Sequence, residues 1–185
     1  MTRKIRKIQL GTVIEGTLKS EDLLEAFTGE IEYLWLTNTL TGQYLDQSIA
    51  QTYYDAKEIL SKYETETGVD EIEASEIVNE LIDKLNENAP PYMYFGTLEG
   101  DGADFGWWID RDSLEEDMKN AIPTDNPEEK WIPDCYDQSN QVCTTNRLVS
   151  FRTECESTHG YYLEVNDHGN MTLRNAKREE IWSVV

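Results

Sequence analysis

From Asp70 to Pro91 the chain reads DEIEASEIVNELIDKLNENAPP, and beyond it the spacing of apolar residues changes. Ala74, Ile77, Val78, Leu81, Ile82 and Leu85 recur three and four apart, one broad stripe along a helix. Asp70 followed three residues on by Glu73 is a capping-box pattern that opens this helix. Pro90-Pro91 closes it and pushes the chain into an extended path. After the prolines, YMYFGTLE and FGWWID read as two strands joined through GDGAD, a Gly/Asp-rich hairpin connection. A chain that switches period in this way has a helix stripe and a sheet face to bury, which points to α+β.

The flanking segments extend the pattern. KIQLGTVIEGTL reads as a short strand and turn. Ser20 then precedes a helix on which Leu23, Phe27, Ile31 and Leu34 share a side, with acids in its first turn and Gly29 weakening its middle. A second helix fits roughly 45–64. Asp112-Ser-Leu-Glu115 is another capping-box pattern, opening a short helix to about Ala121. Residues 122–146, with Pro123, Pro127 and Pro133, read as a loop or insertion. LVSFRT, YYLEV, NMTLRN and EIWSVV are strand candidates separated by turns. The expectation is a single domain over 1–185, with a helical N-terminal half packed on a C-terminal antiparallel β-sheet. Its parts are a mainly helical 1–89, a hairpin plus short helix over 90–121, the loop 122–146 and a β-meander over 147–185.

Charge narrows the partners. The chain holds 37 acids and 16 bases, net −21, and residues 21–130 alone carry 28 acids against 6 bases. A field of one sign over so small a body repels nucleic acid and anionic lipid and attracts basic surfaces. The start, MTRKIRKIQL, alternates charged and apolar residues instead of building the apolar core of a signal peptide, and no run approaches a membrane span. The expectation is a cytoplasmic protein with reduced cysteines, in contact with neither membrane nor nucleic acid.

Three stretches, GTLKSEDLLEAF, ELIDKLNENAPPYMYFGTLEGDGADFGWWID and YYLEVNDHGNMTLRNAKREEIWSVV, resemble segments of a family of small acidic accessory proteins carried by phages, plasmids and other mobile elements. The family has no established activity, so the resemblance implies a genomic setting and not a mechanism. That setting favours a counter-defence role, such as blocking a restriction or CRISPR enzyme.

Candidate sites follow from residue types. In Asp101-Gly102-Ala103-Asp104 the glycine and alanine supply no ligand and no late Glu closes a Ca²⁺ loop, so the reading is a turn. A paired-carboxylate hydrolase would need Asp104 beside Asp110 or Asp112 in a cleft. Cys135, Cys143, Cys155 and His159 make C-x7-C-x11-C-x3-H, a legitimate Cys3His zinc set with an unusual middle interval; unligated thiols are the simpler reading. His168, in NDHGN, reads as a turn residue. Trp107 and Trp108 fall on opposite faces of a strand, one facing the core and the other covered or free to anchor a partner. No phosphate loop or nucleophile elbow is present, and neither a catalytic residue nor a cofactor is assigned.

The acids of the capped helix differ in kind. Glu73, Glu76, Glu80, Asp83 and Glu87 fall at spacings of 3, 4, 3 and 4, a single stripe opposite the apolar one. Asp110, Asp112, Glu115, Glu116 and Asp117 form a second cluster. The resulting expectation is a non-enzymatic nucleic-acid mimic of the anti-CRISPR or anti-restriction type. Its acidic helices and Trp107 or Trp108 would dock on a basic, nucleic-acid-binding host enzyme. The alternative is a zinc-stabilised domain or small hydrolase using the Cys/His set or the Asp101–Asp112 carboxylates.

Overall fold

A computed structural model describes residues 8–41, 47–65, 68–133 and 160–185. The fold is α+β, with helices in the N-terminal half and two antiparallel sheets. Where the sequence reads as one domain, the chain forms two compact units that meet in sequence at Ile109/Asp110, with residues 8–10 joining the second.

The first unit contains β1 (Gly11–Glu15), α1 (Ser20–Thr41), α2 (Gln47–Glu64), α3 (Glu71–Glu87), β2 (Met93–Leu98) and β3 (Asp101–Ile109). Its sheet has the order β1-β3-β2, so the helices pack on a sheet drawn from both sides of the helical segment. Alternation along β3 decides the core: Trp107 faces inward opposite Phe95 of β2, while Trp108 pairs with Tyr94 on the other face. Phe27 of α1 meets Phe95 edge-on at 4.9 Å and Phe105 at 5.3 Å, and Phe95 meets Trp107 at 5.0 Å. Such pairs add ~1 kcal/mol each beyond the area they bury. Ala74, Val78, Leu81 and Leu85 of α3 close this core. Gly29 leaves α1 unbroken.

The hairpin differs from its sequence reading. The turn is Glu99-Gly100, with Gly100 at φ +89°, and Asp101 already belongs to β3. Thr97 pairs with Phe105 but Leu98 pairs with Asp101, so Gly102, Ala103 and Asp104 form a three-residue bulge. Two bonds hold the bulge: Ala103 N–H donates to the Asp101 carboxylate at 3.0 Å, and Ala103 C=O accepts from Gly16 N–H at 3.0 Å. Gly106 follows where β1 crosses close by; a Cβ there would lie 2.2 Å from the Gly11 oxygen. Only glycine fits.

The free edge of β2 is closed by side chains. The Asn86 amide of α3 donates to Phe95 C=O at 2.8 Å and accepts from Phe95 N–H at 2.9 Å, as a neighbouring strand would. Met93 N–H donates to Pro90 C=O and the Tyr94 hydroxyl to Thr97 C=O. An edge so satisfied offers no template for another strand.

The second unit contains α4 (Arg111–Met118), β4 (Ile122–Pro123), β5 (Glu129–Pro133), β6 (Gly160–Val165), β7 (Met171–Asn175) and β8 (Glu180–Val184), the strands forming a meander in sequence order. The stretch 122–133 thus corrects the expected loop: EKWIP pairs with GYYLE, and Trp131 and Ile132 are buried. The prolines sit where strands tolerate them, Pro123 in a two-residue edge strand and Pro133 at a strand end. The strand candidate LVSFRT lies outside the described residues. The β6–β7 and β7–β8 turns are organised by Asn166 and Asn175, whose side-chain oxygens accept backbone N–H groups two and four residues on. His168 is exposed in the first of them.

One buried charge belongs to this unit. Glu129 is only 4% exposed, ion-paired with the Arg178 guanidinium and hydrogen-bonded by Thr124 Oγ1 at 3.1 Å. Arg178 also lies 3.7 Å above the Tyr162 ring, which packs on Trp131 at 4.6 Å.

Candidate binding face

The outer side of α3 is built by the same periodicity that builds its inner side. Asp70 caps the helix, its carboxylate accepting from Ile72 N–H at 2.9 Å and Glu73 N–H at 3.4 Å. With the start fixed and Ala74, Val78, Leu81 and Leu85 buried, a turn of ~100° per residue carries the five acids ~150° away from the core. Glu73, Glu76, Glu80, Asp83 and Glu87 are all exposed. They run ~21 Å along the helix, one carboxylate per ~5 Å.

Ion pairs with lysines occur at both ends of this row. Lys62 of α2 bonds Glu58 at 3.2 Å and reaches Glu73 at 3.8 Å. The Glu58 hydrogen bond, with the two carboxylate charges, raises the Lys62 ammonium above its ordinary value. Lys84 bonds Glu87 at 2.7 Å. Glu76, Glu80 and Asp83 have neither an ion pair nor a hydrogen bond among the described residues. Beside the row, burial and then the Glu71 carboxylate push the Tyr63 phenol up to about 12, so the hydroxyl stays protonated and donates to Glu71 at 3.0 Å. Residues 11–109 hold 21 acids and 4 bases. In both pairs at the ends the carboxylate is exposed and the lysine partly covered, so solvent screens the attraction. The middle of the row sets three acids against the one lysine of its helix, Lys84, and is net negative.

Other expected site residues fall elsewhere. Trp107 is 1% exposed and donates its indole N–H to Glu30 at 2.9 Å, so it is a core residue and is removed from the anchor candidates. Trp108 is half-buried and donates to Gly96 C=O at 3.0 Å. Asp110 is the N-cap of α4, two residues earlier than the sequence pattern places it, with both the backbone N–H and hydroxyl of Ser113 on its carboxylate. Those bonds, the hydroxyl's first, hold its pKa below the usual range. Glu116 pairs with Lys119, whereas Asp112 and Glu115 are exposed. These α4 acids belong to the second unit and α3 to the first.

Asp104 sits buried in the β3 bulge with one carboxylate oxygen unpartnered among the described residues. Asp110 belongs to the other unit. No group of three or more His, Cys, Asp or Glu side chains able to hold a metal occurs among the described residues. Cys135, Cys143, Cys155 and His159 lie outside them.

Ile72 is a residue the sequence reading passed over. It is 73% exposed, one turn before Glu76 and off the apolar stripe. Its signal was present in the sequence, since an isoleucine four residues from an acid of the row cannot share the buried side. Among the described residues no helix is long and apolar enough to cross a membrane. Comparisons of the chain with protein-family models, curated proteins and solved structures returned no match.

Proposed function

We propose that this chain is a non-enzymatic protein of a mobile element whose α3 face docks on the basic nucleic-acid channel of a host defence enzyme and inhibits it. The carrying observation is the row of five exposed carboxylates, whose middle three, Glu76, Glu80 and Asp83, have no ion pair among the described residues and share their helix with a single lysine, Lys84. A nucleic-acid strand presents one phosphate per ~3.4 Å, against one carboxylate per ~5 Å here, so the row offers about two acids for every three phosphates, a charge spacing of the same order. A face serving solubility alone would intersperse several lysines among its acids to relieve i,i+4 repulsion of ~0.2–0.5 kcal/mol per pair, whereas α3 has one, Lys84, four residues after Glu80. Ile72, in place of the buried Trp107, supplies the apolar contact that steering charge lacks. The setting is the cytoplasm of the host, where such an enzyme works.

The test is capture from host lysate at low and physiological salt, followed by binding of the purified enzyme in competition with duplex DNA. The reading requires a nucleic-acid enzyme that DNA displaces and that Glu76→Gln/Glu80→Gln/Asp83→Asn fails to bind. Capture that ignores both salt and those three substitutions would end it.

A further inference from the structure

We propose that a groove between α4 and the β6–β7 end of the five-stranded sheet binds a small amphipathic anion, an alkyl or aryl chain ending in a carboxylate. This site belongs to the second unit and does not depend on the reading of α3.

The groove follows from two periodicities. Along α4, Leu114 and Met118 lie four apart and turn toward the sheet, Leu114 buried and Met118 half-buried. On the sheet, Val165 pairs with Met171 and Leu163 lies two residues back on the same face. Helix and sheet leave ≈ 440 Å³ between them, within the range of small-molecule sites. The floor is apolar yet reached by solvent, with Val165 37% exposed. Two of the lining residues are methionines, whose flexible thioethers adapt to an apolar ligand without a fixed shape.

Charge selects the ligand. Arg111, Glu115 and Lys119 line the same groove at i, i+4 and i+8. Lys119 is tied to Glu116, whereas Arg111 has no ion pair and no hydrogen bond among the described residues. In a chain of net charge −21, this rim carries two cations to one acid. A cationic amphiphile would meet Glu115 with the positive charges of Arg111 and Lys119 one turn away on either side. A neutral one would gain the floor and leave Arg111 idle. An anionic head at Arg111 with its chain along Leu163, Val165 and Met118 uses both parts.

The test is calorimetric titration of the full chain with decanoate below its micellar concentration and with decanol, together with displacement of the anionic fluorophore 8-anilinonaphthalene-1-sulfonate. The expected result is one saturable decanoate site that displaces the fluorophore, with decanol weaker. Arg111→Gln weakens decanoate about three- to fivefold, as loss of an exposed ion pair should, leaves decanol unchanged, and is rescued by Arg111→Lys. Val165→Asp, at a position already open to water, removes both ligands while circular dichroism matches the parent. Absence of saturable decanoate binding, equal binding of decanol, or indifference to Arg111→Gln would each overturn the proposal.

Discussion

Replacing Asn86 by Ala removes three hydrogen bonds from one amide: to Phe95 C=O at 2.8 Å, from Phe95 N–H at 2.9 Å, and to Ile82 C=O at 3.0 Å. The last joins a carbonyl already in the α3 ladder, and its loss is minor. Phe95 is the sensitive end, because the residue is 1% exposed and its outward backbone groups have no strand beside them. An unsatisfied buried donor or acceptor costs ~1–3 kcal/mol. Two such groups, partly rehydrated because Asn86 itself sits at the surface, give about 2 kcal/mol, or roughly a 10 °C fall in the midpoint for a unit of this size. Asn86→Asp separates the bonds further: it keeps the acceptor for Phe95 N–H but turns a carboxylate toward Phe95 C=O. That carboxyl is raised in the folded state, so relative to the parent the variant loses most at pH 7 and recovers as pH falls and the protonated group donates again. Urea unfolding at pH 7 and pH 4, followed by tryptophan fluorescence, reads all three proteins; size-exclusion chromatography reports whether the opened edge self-associates. An Asn86→Ala variant within ~0.5 kcal/mol of the parent would refute the claim that this side chain stands in for a strand.

Arg178→Ala leaves Glu129 with Thr124 alone and strips the cation from the Tyr162 ring; a loss of about 2–3 kcal/mol is expected in denaturant unfolding, and Arg178→Lys restores only part of it. Asp110→Ala removes the α4 cap at ~1 kcal/mol. Because the Asp110 pKa is depressed in the fold, its contribution is complete above the ordinary carboxyl range and vanishes as pH falls through the folded value, so parent and variant converge in acid, which unfolding curves from pH 7 to 3 would register. Neutralising Glu76, Glu80 and Asp83 together relieves like-charge repulsion and should raise the thermal midpoint of the free protein by a few degrees, although partner binding is lost. Gly106→Ala drives a Cβ to 2.2 Å from the Gly11 oxygen and should loosen β1, visible as lost amide-exchange protection in residues 11–15.

The periodic segments were legible because their pattern and their burial are one fact. The buried residues of α3 are four of the six in its sequence stripe, with Ile77 and Ile82 half-buried at the margins. The acidic row was legible for the same reason, being that stripe's complement. What escaped depended on partners distant in sequence. Residues 129–133 sit among prolines in a polar stretch, and only pairing with 160–164 makes them a strand. Alternation separates Trp107 from Trp108 but does not say which enters the core; α1 decides, through Phe27 and Glu30, the latter 77 residues away. The turn at 99–100 was blurred by three further turn-forming residues that the chain uses as a bulge. Asn86 announced nothing, since its role exists only once Phe95 lies beside it.

The central claim is that the α3 carboxylates are read by a cationic surface made for a nucleic-acid backbone. The most direct measurement is affinity for the purified partner as salt is raised, for the parent and for Glu76→Gln/Glu80→Gln/Asp83→Asn. The account predicts that log affinity falls linearly with log salt, and that the triple substitution reduces this slope as well as the affinity. Equal slopes in the two proteins would show that the partner does not read those carboxylates.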